Sequence, residues 1–142
     1  MLEEEASRND VDGPDPAYRY ADGAIIGVVL DGKSAAFYFD SAQSQGPVNS
    51  KIAGRAVLVW VGGQRRIRVY SRNSEGRTLD FHETDGWLVD SDTGPLWDPV
   101  SGAAVEGELV GQQLDSIPFR AAYDWAWQDF FPESVFYPDF RR

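Results

Sequence analysis

The sequence predicts a mainly β fold of the β-rich α+β kind: a twisted, partly closed antiparallel sheet of short strands with one C-terminal helix packed on it. Three observations predict it. Short apolar runs rich in Val and Ile recur through the first two thirds of the chain, each closed by a glycine-containing turn. Residues 93–114 then place four glycines, two prolines and a tryptophan in a run without helical periodicity. Only near the C-terminus does the spacing become helical, where Tyr123, Trp127 and Phe131 lie four apart.

Residues 1–17 carry Asp10, Asp12, Gly13, Pro14, Asp15 and Pro16 without apolar periodicity, so they are read as an acidic flexible tail. Residues 18–142 are read as a single β-rich domain. Residues 24–30 and 35–39 flank Asp31-Gly32, a dipeptide that tolerates the positive φ angles of a tight hairpin. Residues 40–47 are polar and read as a loop. Residues 56–61 form another β run, turned by Gly62-Gly63. In 65–72 the apolar Ile67 and Val69 alternate with Arg66, Arg68, Tyr70 and Arg72, the pattern of a half-buried strand. Residues 77–82 and 87–90 are two short strands around Thr84-Asp85-Gly86. Residues 113–117 are a last core strand before Pro118. A helix follows, packed through Tyr123, Trp127 and Phe131 and stopped by Pro132, and 135–137 close the fold. The expected core takes Ile26, Val28, Phe37, Val57, Val59, Ile67, Val69, Leu79, Phe81 and Trp97.

Composition narrows the chemistry. Of 142 residues, 42% are hydrophobic, enough for one ordinary core, and no apolar run reaches the length of a membrane span. Insertion into a membrane is therefore not expected. Net charge is −10, with 23 acidic against 13 basic residues, which makes nucleic acid a poor partner. Only Lys33 and Lys51 are lysines; an acidic, lysine-poor surface is halophile-like. There is no cysteine, which removes disulfides, thiol nucleophiles and the usual structural zinc sites. No cofactor and no metal site is expected.

Candidate site residues are few. His82, the single histidine, sits beside Glu83 and Asp85 and is a candidate general base; its plain reading is a strand-end histidine in a solvated turn. Arg66, Arg68 and Arg72, with Tyr70 between them, form the one basic stripe and could recognise a carboxylate or an acidic partner. Their plain reading is an outer sheet face paired with acidic neighbours. The aromatics Tyr123, Trp125, Trp127, Phe130 and Phe131 could form an exposed sugar or protein platform; Tyr123, Trp127 and Phe131 are read as core, and Trp125, off the helical stripe, as a surface residue and candidate binding residue. Asp90-Ser91-Asp92-Thr93-Gly94 and Asp10-Val11-Asp12-Gly13 lack the closing Glu of a calcium loop and are read as turns. Glu106 and Glu108 are read as a solvated strand edge.

Several segments, in order, resemble the domain-of-unknown-function 3179 family of bacteria and archaea. Val48-Asn49 leading to Gly54-Arg55-Ala56-Val57 is similar to its Val-Asn-Asp segment and Gly-Arg-Pro-Val strand. Gly76-Arg77-Thr78-Leu79-Asp80-Phe81 is similar to its Gly-Arg-Thr-Leu-x-Phe strand. Thr93-Gly94-Pro95-Leu96-Trp97, then Gly102, Val105, Gly107, Leu109 and Gly111, are similar to its glycine-spaced motifs, and 127–132 to its closing Trp-plus-Pro segment. The resemblance covers 25–137. It also implies groups that this chain lacks. A His-Glu pair is expected where Ser44-Gln45-Gly46-Pro47 stands, and a Cys-Pro segment where Val61-Gly62-Gly63-Gln64-Arg65 stands. The chain therefore reads as a divergent member without the family Cys and His motifs. Two functions are carried forward. The first is a non-catalytic interaction or structural domain of a larger extracytoplasmic or cell-surface assembly, with a protein partner or neighbouring domain. The alternative is a hydrolase-like or ligand-processing domain using His82 with nearby carboxylates.

Overall fold

A computed structural model describes residues 23–91, 96–107 and 109–138. Both tails of the chain lie outside the described residues, as do the 1–17 tail expectation, the Asp10–Gly13 stretch, most of the Asp90–Gly94 stretch and Glu108. The domain is a stack of sheets. The first has the order β11-β1-β2-β12, from Arg120–Tyr123, Ala24–Leu30, Lys33–Tyr38 and Val135–Tyr137. The second is β3-β4-β5, from Val48–Ile52, Arg55–Val61 and Ile67–Ser71. The third is β10-β9-β8, from Leu96–Trp97, Trp87–Asp90 and Phe81–Thr84, and a small ladder joins β6 (Asn73–Ser74) to β7 (Arg77–Thr78).

Four of the hairpins share one device. Asp31-Gly32, Ala53-Gly54, Glu75-Gly76 and Asp85-Gly86 each hold two successive positive φ angles between paired strands. Two-residue turns of that hand match the right-handed strand twist, and glycine carries the second position at no steric cost.

The stack has three apolar layers. Ile26, Val28 and Phe37 of the first sheet meet Val57, Val59 and Val69 of the second. Leu58, Trp60 and Tyr70, on the other face of the second sheet, meet Leu79, Phe81, Leu88 and Trp97. Ile25, Ala36 and Tyr38, on the outer face of the first sheet, meet Trp127 and Phe136. Strand β4 is thus buried on both faces, as its continuous apolar run requires. Of the core residues expected from the strands, all are buried except Ile67, which packs against the core while partly exposed; of those expected from the helix, Trp127 is buried, Phe131 partly buried and Tyr123 exposed.

Several expectations change. Residues 40–47 are not all loop: Phe39–Gln45 form helix α1, with only Phe39 and Ala42 buried, too few apolar positions to announce a period. Residues 77–82 split into β7 and β8. Residues 113–117 pair only through the isolated bridges Ala103↔Gln113 and Tyr70↔Ser116, although Leu114 and Ile117 are buried. The C-terminal helix α2 spans Asp124–Phe130, so Tyr123 belongs to strand β11 and is exposed; Trp127 and Asp124 anchor the helix, the first with Phe131 packed on its ring at 4.3 Å and the second accepting the Tyr38 hydroxyl at 3.0 Å. Strand β12 pairs with β2 in parallel, not antiparallel. Glu106 lies in an exposed bend, not on a strand.

Close approaches by glycine seat the large rings. A Cβ at Gly27 would stand 2.4 Å from the Trp127 ring, so glycine lets that indole lie flat on β1. The Trp127 indole N–H donates to Ser134 Oγ at 2.7 Å, and the Ser134 hydroxyl donates to Ser34 Oγ at 2.6 Å. The second and third sheets are tied by Asn49. Its carboxamide donates to the Phe81 carbonyl and accepts the Phe81 N–H, both at 2.9 Å, imitating a strand partner.

Candidate functional site

The arginine stripe does not lie on an outer face. The third sheet covers that side of β5, so the stripe enters the second core. Tyr70 is 2% exposed, and its hydroxyl lies 2.8 Å from the Pro99 carbonyl and 3.0 Å from that of Val100. Burial raises its phenol above the ordinary value; Asp98 adds to the rise and Arg68 opposes it. Arg72 is 4% exposed and turns inward. Its guanidinium donates to the carbonyls of Val57, Leu79 and Ser50 at 2.9, 2.9 and 2.6 Å, and to Asp80 Oδ1 at 2.7 Å. Burial lowers its pKa, and Asp80 pulls the other way. Arg68 donates to the carbonyls of Val100 and Ile67. Arg66 alone remains exposed, with no hydrogen bond or ion pair of its side chain among the described residues.

Arg66 lines an open cleft of about 480 Å³. Strand β4 contributes Trp60, the loop that follows it Gly63 and Gln64, the β8–β9 turn Gly86 and Trp87, and the segment after β10 Asp98, Pro99 and Val100. Trp60 is 6% exposed, and its indole N–H is buried without an acceptor among the described residues. Trp87 is 38% exposed at the rim. A Cβ at Gly62 would stand 2.2 Å from Trp60 Cη2, so glycine there lets the indole fold across the strand end.

The loop beside the cleft is strained and pinned. Gln64 and Arg65 both hold left-handed backbone, at φ 60° and 59°, each costing about 1–2 kcal/mol for a residue with a Cβ. Its supports are short-range. Gly62 N–H donates to the Arg66 carbonyl at 2.8 Å, Gln43 Nε2 donates to the Gly62 carbonyl at 3.2 Å, and the Arg65 guanidinium lies 4.1 Å over the Phe39 ring. Gln43 and Phe39 belong to α1, so that helix and the 62–66 loop sit side by side.

The other candidates stand apart. His82 is exposed on β8 opposite Val89, does not line the cleft, and has no hydrogen bond or ion pair among the described residues. Trp125 is 63% exposed on α2, beyond the first sheet, and stacks on Tyr123 with centroids 6.4 Å apart and planes 6° from parallel. Among the described residues no group of three or more His, Asp or Glu side chains is placed to hold a metal ion. No described helix is long and apolar enough to cross a membrane. Sequence reasoning missed Trp60, Gln64, Trp87 and Asp98. The available signal was local: Trp60 precedes Gly62-Gly63, and Trp87 follows the Asp85-Gly86 turn.

A family model described as protein of unknown function (DUF3179) matches residues 10–134. No curated protein and no solved structure matches the chain. The match takes in nearly all of the resembling segments, and the chain belongs to this family.

Proposed function

We propose that this member of the DUF3179 family is a non-catalytic interaction domain of a larger extracytoplasmic or cell-surface assembly, and that the cleft beside Arg66 is its contact site. The observation that carries the proposal is the contrast among the arginines. Arg68 and Arg72 are held by main-chain carbonyls, whereas Arg66 has no side-chain partner among the described residues and lines a cleft with an exposed tryptophan. Exposed Trp and Arg are the side chains that most often dominate a contact. His82, exposed and without a side-chain partner among the described residues, gives the hydrolase-like alternative no support.

The test is affinity capture with the whole chain as bait, at low and at molar salt. Wild type is compared with an Arg66→Ala, Trp87→Ala double variant. A protein retained by wild type and lost by the variant is expected. Recovery of the same proteins by both baits would sink the assignment of the cleft.

A further inference from the structure

We infer that the cleft takes a neutral pyranose sugar, with the Trp87 indole stacked on its apolar face; this rests on the reading of the cleft as the contact site. Its polar groups select against charge. Arg66 offers only donors, the Asp98 carboxylate only acceptors, and the Gln64 carboxamide both. Asp98 Oδ1 takes the Val100 N–H at 3.0 Å, and Oδ2 has no partner among the described residues. An anion drawn by Arg66 meets Asp98, and a cation drawn by Asp98 meets Arg66. A neutral ligand whose neighbouring hydroxyls donate and accept together is opposed by neither.

The shape agrees. A pyranose ring has a face of C–H groups and a rim of hydroxyls. Trp87 presents a flat, partly exposed indole, and Arg66, Gln64 and Asp98 line the same cleft. Aromatic rings of this kind combine an apolar body with wet surroundings. The cleft is open at its sides: a Cβ added at Gly63 or at Gly86 would meet nothing within 4 Å. A chain of sugar units can therefore run past the stacked ring. The pinned 62–66 loop holds Gln64 and Arg66 ready, which lowers the cost of ordering them on binding.

The probes are cellohexaose, xylohexaose, mannohexaose, maltohexaose and chitohexaose, with hexagalacturonate and the chitosan hexamer as charged controls. Each is titrated into the whole chain while the indole N–H resonances of the tryptophans are followed by NMR. At least one neutral probe is expected to move the Trp87 resonance. Its affinity is expected to fall about tenfold or more in Trp87→Ala and in Arg66→Ala, each checked for an unchanged fold by circular dichroism. The proposal is overturned if no neutral probe moves that resonance, if a charged control binds as tightly, or if Trp87→Ala binds unchanged. A protein partner lost by the double variant, with no saccharide bound, removes the sugar and leaves the interaction reading. Proteins captured equally by both baits, alongside saccharide binding that depends on Trp87, remove the protein-contact reading and leave the sugar.

Discussion

Replacing Arg72 by methionine should cost about 3–5 kcal/mol, set by the loss of three hydrogen bonds from a charged donor to main-chain carbonyls. The figure can be built from the contacts. The variant leaves the carbonyls of Ser50, Val57 and Leu79 without the donors that now reach them at 2.6–2.9 Å. Each of these contacts is a hydrogen bond from a charged donor, worth about 1.5–3 kcal/mol. The sum overstates the loss, because burying the guanidinium was itself costly and methionine fills part of its volume. Asp80 matters less. Its side chain is 71% exposed, so its ion pair with Arg72 is worth at most about 1 kcal/mol. Equilibrium urea unfolding of wild type, Arg72→Met, Arg72→Lys and Asp80→Asn separates the terms. Arg72→Lys should lie between, since an ammonium lacks the fork that reaches separate carbonyls. Raising the salt should leave the wild-type-to-Met difference nearly unchanged, because carbonyl contacts inside the fold are little screened. If Asp80→Asn costs as much as Arg72→Met, or if the difference collapses in molar salt, the clasp is an ion pair and the reasoning fails.

Asn49→Leu should cost about 2 kcal/mol, one for each hydrogen bond to the Phe81 main chain, with a lowered midpoint in the same urea assay; a neutral change would remove the tie between the second and third sheets. Gly27→Ala should cost about 1–3 kcal/mol and shift the tryptophan fluorescence, because the new Cβ drives into the Trp127 ring; an unchanged spectrum and stability would show that the ring has room. Tyr70 predicts an alkaline loss of stability. Its folded pKa is raised above 10.0, so its contribution is fully present below the unfolded value and is lost as pH rises from there through the folded one. Unfolding measured between pH 8 and 11 should fall more steeply in wild type than in Tyr70→Phe, and parallel slopes would contradict the assignment.

How much of this was legible depends on how far each signal reaches along the chain. The Asp31-Gly32 and Asp85-Gly86 turns were readable because two adjacent residues decide the hairpin. The run from Ala56 to Val61 was readable as a strand because apolar β-branched residues have few other uses. Helix α1 was not, because Phe39 and Ala42 are its only buried positions and its polar residues resemble a loop. The placement of Tyr123 failed for a related reason. Its spacing to Trp127 fits a helix, but Tyr123 pairs with Ala24 as a strand residue before the helix begins. The site was less legible than the fold. Arg66, Arg68, Tyr70 and Arg72 form one alternating face on paper, yet only Arg66 is left for a ligand.

The sequence by itself determined the β-rich class, the Asp31-Gly32 and Asp85-Gly86 hairpins, nearly all of the expected core and the family, since each is written in local pattern or ordered motif. Tertiary structure alone decided what the second face of β5 meets. Alternation within a strand distinguishes its two sides but not whether a further sheet will cover the polar one. Here the third sheet does, drawing Tyr70 and Arg72 inward and bringing Trp60, Trp87 and Asp98 to the cleft lined by Arg66, the one arginine of the stripe that remains exposed.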